Sequence, residues 1–262
     1  MHSLQRPGVL SLLMVILLAS LGACIPATIL PSPTDTPVPT ECIESLDEET
    51  LERLRLSMET TVEMQPGETC QFALGVVECC YYFQKVAACA TWSVNPAEGA
   101  HIDPDSGVLT IDDTTPSGSV FTVTADVEKG RRMVTIDVHV FTPEDNPLVG
   151  IWREEAQFAC DTGEELTPEE RIGELRFRAD GSFSVTWVPF EVYRDYWGTY
   201  EYDLATGNLS LQVIEGNYVP DDIDGSGSFA FDEQGRLLLR DIWLGSPYES
   251  TGPAHCGHRF RR

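Results

Sequence analysis

Residues 150–160 read GIWREEAQFAC and residues 255–262 read HCGHRFRR. Both have strand length, both alternate side-chain character, and each carries one cysteine. More runs of this kind lie between them. Leu175 and Phe177 point one way while Glu174, Arg176 and Arg178 point the other; Ala179-Asp180-Gly181 turns the chain; Phe183, Val185 and Trp187 then alternate with Ser182, Ser184 and Thr186. The pattern predicts further strands over 197–203, 208–214, 227–232 and 237–243, with hairpins such as Asp232-Glu233-Gln234-Gly235. Together with 149–159 and 255–261 these make about eight short strands, each with one apolar face, which suits a closed antiparallel meander with a dry interior. Closure demands that the first and last strands pair antiparallel. That register brings Cys160 and Cys256 together as a disulfide and sets Trp152 opposite the extreme end of the chain.

Gly150-Ile151-Trp152, at the head of this pattern, resembles the G-x-W of lipocalin-like barrels. The resemblance implies that Trp152 closes one barrel end and that an arginine of the last strand, Arg259 or Arg261, stacks on it; such a cation–π contact is worth about 0.5–2 kcal/mol. At residues 147–262 the body is short for a true lipocalin and lacks a C-terminal helix, so it is closer to the small bacterial lipocalin-like group. That family binds diverse small or lipidic ligands.

Residues 43–146 form the other expected body. IESLDEETLERLRL at 43–56 predicts a short helix, with Leu46, Leu51 and Leu54 near one face and acids early. Strand patterns follow: Leu109 and Ile111 alternate with Val108, Thr110 and Asp112, residues 120–125 form another strand, and Val134, Ile136, Val138 and Val140 share one face. Pro104-Asp105-Ser106-Gly107, Thr115-Pro116-Ser117-Gly118 and Glu128-Lys129-Gly130-Arg131 supply turns. The phrases ATWSVNP (90–96), SGVLTI (106–111) and FTVTADV (121–127) resemble bacterial immunoglobulin-like domains, which implies a β-sandwich acting as a spacer or adhesive stalk without catalytic residues. The fold class is therefore all-β: an immunoglobulin-like sandwich followed by a small eight-stranded antiparallel lipocalin-like barrel. Cys42, Cys70, Cys79, Cys80 and Cys89 predict two bridges and one thiol in the first body, with the pairing open.

The start of the chain carries an address. Arg6 precedes an apolar run, Val9 to Leu21, too short to span a bilayer and flanked like a signal peptide over residues 1–23. The run ends in Leu21-Gly22-Ala23-Cys24, which resembles the lipobox of bacterial lipoproteins and implies lipidation of Cys24. Residues 24–42 are rich in Pro and Thr and predict an extended tether. With 17 Lys+Arg against 42 Asp+Glu, the net charge of -25 excludes a nucleic-acid backbone as partner and leaves any membrane attachment to the lipid.

Chemistry has few candidates. Asp222, Asp224 and Ser226, with Glu233 at the twelfth position, match the spacing of a Ca²⁺-binding EF-hand loop, yet Pro220 precedes and a strand follows where helices belong. No other cofactor is expected. Phe183 and Trp187 are expected in the core. Phe190, Tyr193, Tyr196 and Trp197 lie in a loop-like stretch and are the candidates for a rim that contacts a small apolar or sugar-like ligand. Glu191 and Asp195 among them form the one carboxylate pair suited to glycoside hydrolysis. No G-x-S-x-G nucleophile motif occurs. The expected function is a non-catalytic, lipid-anchored surface protein whose stalk presents a binding barrel for a small ligand or a partner protein. The alternatives are an extracellular glycoside-active enzyme and a purely structural envelope spacer.

Overall fold

The computed structural model describes residues 42–262, apart from 58, 60, 79–81, 169, 190–192 and 247–254. The leader, Cys24 and all but the last residue of the tether lie outside the described residues, as do Cys79, Cys80, Phe190 and Glu191. The chain is all-β as expected, with one short helix among the described residues.

In the first body the helix α1 covers Glu48–Arg53, shorter than the run 43–56. Asp47 caps it by accepting from Thr50 N at 2.8 Å, and Glu48 and Glu49 meet the positive end of its dipole. Ten strands follow: β1 (Leu54–Arg55), β2 (Thr61–Met64), β3 (Thr69–Gln71), β4 (Gly75–Glu78), β5 (Tyr82–Lys85), β6 (Ala90–Asn95), β7 (Ala100–Ile102), β8 (Val108–Ile111), β9 (Val120–Val127) and β10 (Arg132–Val140). They form sheets of order β1-β4-β5, β2-β10-β9-β6 and β3-β8-β7, with β2 parallel to β10. The three sheets share one apolar cluster containing Leu109, Ile111, Phe121, Val123, Ile136, Val138 and Val140. Burial in β10 alternates as its sequence predicts, with Val134, Ile136, Val138 and Val140 inward. Cys42 and Cys89 are joined, and buried Cys70 is disulfide-bonded as well.

The second body comprises β11 (Gly150–Ala159), β12 (Glu165–Leu166), β13 (Glu174–Phe177), β14 (Ser182–Thr186), β15 (Tyr196–Asp203), β16 (Asn208–Gly216), β17 (Ser226–Phe231), β18 (Leu237–Arg240) and β19 (His255–Arg261). The eight strands other than β12 run as an antiparallel meander, and β11 pairs with β19 to close the ring, while β12 rides on the outer edge of β11. Cys160 and Cys256 form the predicted bridge at the seam, with Cα atoms 4.8 Å apart. The hairpin turns follow the sequence: Gly181 and Gly235 adopt positive φ (81° and 73°), which a Cβ would oppose.

The two bodies meet over buried charge. Glu59 and Glu63, at the entry to β2 and within it, face Arg176, Arg178 and Arg194 of the barrel. The connecting segment 142–149 turns at the mouth of the barrel, where Leu148 is fully buried.

Candidate functional site

A meander barrel offers three places for function: its interior, its two ends and its outer wall. The interior is occupied. Trp152, Leu175, Phe177, Phe183, Val185, Tyr196, Tyr200, Leu209, Leu237, Leu239 and Phe260 form one buried cluster. Phe183 and Trp187 belong to it, as their alternation predicts. Aromatic edges fill the space between strands: Phe177 meets Tyr200 edge-on at 4.8 Å and Phe183 meets Tyr196 edge-on at 6.2 Å.

One end is sealed by the connecting segment. Trp152 Nε1 donates to Leu148 O at 2.7 Å, Asn146 Nδ2 to Tyr200 Oη at 2.8 Å, and Tyr202 Oη to Asp145 O at 2.6 Å. Tyr200 Oη in turn donates to Arg178 O at 2.7 Å, and burial raises its pKa far above the ordinary value, so it stays a donor. The arginine on Trp152 is Arg262, its guanidinium carbon 4.8 Å from the ring centroid, with Nη2 donating to Pro147 O and Val149 O. This corrects the expectation for Arg259 and Arg261. Two register shifts interrupt the β11–β19 ladder, which pairs Arg153 with Arg261 and so brings the final residue beside Trp152. Arg259 instead points outward to Glu165, making a two-pronged ion pair at 2.6 and 2.8 Å, and Arg261 lies 3.6 Å from Glu155. Arg262→Ala should therefore lower the unfolding free energy by about 0.5–2 kcal/mol through the lost cation–π contact, while Arg259→Ala, which breaks rim ion pairs, should cost no more than about 1 kcal/mol. Urea unfolding followed by tryptophan fluorescence checks this order.

The opposite end is sealed by residues 172 and 242–244. Ile172 N and Leu244 N donate inward, to Glu154 Oε2 at 2.9 Å and His258 Nε2 at 3.2 Å. His258 Nδ1 lies 2.5 Å from Glu154 Oε1, and Trp243 stacks on the imidazole at 4.8 Å and 7°. Glu154 and His258 have fully buried side chains. The alternation already places Glu154 on the inward face with Trp152 and Ala156, a buried acid between apolar neighbours that signals a buried partner; that partner is His258.

The expected aromatic rim divides. Tyr196 is a core residue, which corrects its placement: β15 begins at Tyr196, so Tyr196 and Tyr200 face inward, and the Tyr196 hydroxyl, its pKa held well above the ordinary value by burial and by Asp195, donates to Leu244 O at 2.7 Å. Tyr193 is 43% exposed and Trp197 half-buried on the wall beside Ser184 and Glu215. Tyr218, also exposed, sits edge-on to Trp187 at 6.1 Å. Asp195 is buried, and its Oδ2 accepts from Trp187 N at 2.8 Å, so this carboxylate organises the β14–β15 connection.

The acidic loop is likewise a structural device. Asp222 accepts from Trp243 Nε1, Ser246 N and Ser246 Oγ at 2.8–3.0 Å; these bonds offset its partial burial and hold its pKa below the ordinary value. Asp224 accepts from Ser226 N, and Asp224 and Trp243 form a bridge between loop and strand end. Among the described residues no group of three or more His, Cys, Asp or Glu side chains is arranged to hold a metal ion.

The disulfides point to an oxidising, extracytoplasmic environment. No helix among the described residues is long and apolar enough to cross a membrane. No family model matches the chain, and no curated protein matches it. Among solved structures, the chain is similar to a protein of unknown function from Bacteroides ovatus, at 11% identity and a TM-score of 0.27, over 77% of this chain and 87% of that one.

Proposed function

We propose that this chain is a non-catalytic, lipid-anchored protein of the bacterial cell surface, in which an immunoglobulin-like stalk and a lipocalin-like barrel together present an outer surface to a partner. The observation that carries this reading is the filled barrel interior, with the connecting segment at one end and the Glu154–His258 pair with Trp243 at the other. A barrel packed in this way has exchanged ligand volume for stability, and its recognition surface is the wall and rim, where Tyr193, Trp197 and Tyr218 offer aromatic area. Export and anchoring are supported by the apolar run ending in Leu21-Gly22-Ala23-Cys24, the Pro-rich spacer and the disulfides.

The test has two arms. In cells fed an alkynyl fatty acid, the chain should take up label and sediment with membranes, and Cys24→Ser should lose both; label retained by Cys24→Ser would defeat the anchor. Titrated with cis-parinaric acid, the purified protein should show no saturable binding. One-to-one binding that quenches the buried tryptophans would reinstate an internal ligand cup.

A further inference from the structure

Between the two bodies lies a cluster of charges that neither the anchor nor the barrel accounts for. Glu59 Oε1 accepts from Arg176 Nη1 at 3.0 Å, and Oε2 accepts from Arg178 Nη2 at 3.2 Å and from Arg194 Nη2 at 2.7 Å. The three arginines come from separate places on the barrel: β13, the turn after it, and the approach to β15. Arg176 also lies 3.7 Å from Glu63, and Thr61 Oγ1 donates to Asp180 Oδ2 at 3.3 Å. The Arg178 side chain is only 4% exposed. Burial raises the pKa of Glu59, but the three guanidiniums more than offset this and hold it below the ordinary carboxylate value, whereas burial keeps Glu63 above it, so Glu59 is the ionised partner of the arginines.

An ion cluster of this kind is a poor adhesive and a good aligner. Stripping water from the charges consumes much of what the pairs return, so an apolar seam of the same area would hold the bodies together at least as well. What the charges add is direction. Two carboxylate oxygens, engaged from three points on a rigid barrel, are satisfied in one relative orientation, and any swing of the barrel leaves buried charge unpaired. The second attachment, the connecting segment seated in the barrel end, fixes the pivot: Asp145 O, Pro147 O, Leu148 O and Val149 O are all captured by barrel side chains.

We infer that Glu59 is the pin of an ionic joint that locks sandwich and barrel into one rigid unit. The outer surface of the barrel is then held at a set angle to the stalk, and the connecting segment does not act as a hinge. This goes beyond the functional reading above and stands or falls apart from it.

Hydrogen exchange on the purified full-length chain tests the joint, comparing wild type with Glu59→Gln and with Arg194→Gln. The amides of Asp145, Asn146 and Val149, bonded within the connecting segment, report on the pivot. The amides of Tyr200 and Leu211, bonded within the barrel wall, report on the barrel alone. Glu59→Gln should speed exchange at the pivot by about tenfold or more, Arg194→Gln, whose pair is partly exposed, by about threefold, and both should leave the wall amides unchanged. Arg194 is a third exposed and lies at the edge of the cluster, so Arg194→Gln keeps its fold if Glu59→Gln does not. Unchanged exchange at the pivot in Arg194→Gln, or equal acceleration of pivot and wall, would overturn the joint.

Discussion

Replacing Cys160 and Cys256 together by serine is expected to lower the unfolding free energy of the barrel by about 4–5 kcal/mol, because the bridge closes a loop over a sequence separation of 96 and removes that loop's freedom from the unfolded chain. The position of the bridge raises its importance. It clamps the start of β19 to the end of β11, beside one of the two register shifts in that ladder, and so secures the seam where backbone pairing is interrupted. Besides the interrupted ladder itself, β19 is held by its regular pairing with β18, the Glu154–His258 contact, the Arg259–Glu165 ion pair and Arg262 on Trp152. A midpoint shift in urea with an unchanged slope would report lost stability of the same native state. A loss below about 1 kcal/mol would mean that strand pairing alone closes the ring and that the bridge constrains the unfolded chain far less than its loop length implies.

The seam shows how far the sequence carries the fold. The cysteine positions and strand alternation bring β11 and β19 together because a period of two is strict and turn glycines mark the hairpins. The same register sets Trp152 opposite the end of the chain, but which of the last arginines stacks on it is not legible in the same way. Two irregularities in the ladder shift the register by an amount that local composition does not encode, and Arg262 takes the place expected of Arg259 or Arg261. Tyr196 lies in the core and not on the rim for a related reason: a strand that begins one residue earlier than its clearest alternation changes which aromatics count as strand and which as loop. At the acidic loop, the partners that hold Asp222, Trp243 and Ser246, lie more than twenty residues away and leave no trace in its local spacing, where Asp and Gly also build ordinary turns. Glu59 is the extreme case. It stands among mixed residues with no period, and its partners follow more than a hundred positions later. Contacts between bodies leave no local trace in either one.

Glu154→Gln is expected to cost the barrel about 3 kcal/mol, although it changes one oxygen to one nitrogen and keeps the volume. The argument rests on proton positions. Leu244 N–H donates to His258 Nε2, which must therefore carry a lone pair, so the imidazole proton sits on Nδ1 and points at Glu154 Oε1. Ile172 N–H points at the other oxygen. The carboxylate thus receives two donors on two oxygens in a site without solvent exposure. Glutamine has one oxygen and one NH₂. If the oxygen faces Ile172, the NH₂ confronts the proton on His258 Nδ1; if it faces His258, the NH₂ confronts Ile172 N–H. Moving the histidine proton to Nε2 only transfers the clash to Leu244 N–H. Every arrangement leaves two donors opposed in the interior. Glu154→Leu paired with His258→Leu should cost at least as much as Glu154→Gln, because it leaves the buried Ile172 and Leu244 N–H groups without acceptors. A double-mutant cycle by urea unfolding should return a coupling of about 2–3 kcal/mol between the two positions. If Glu154→Gln stays within 0.5 kcal/mol of wild type, the two buried oxygens are not each receiving a donor, and the polar plug at that end of the barrel is assembled differently from the way described.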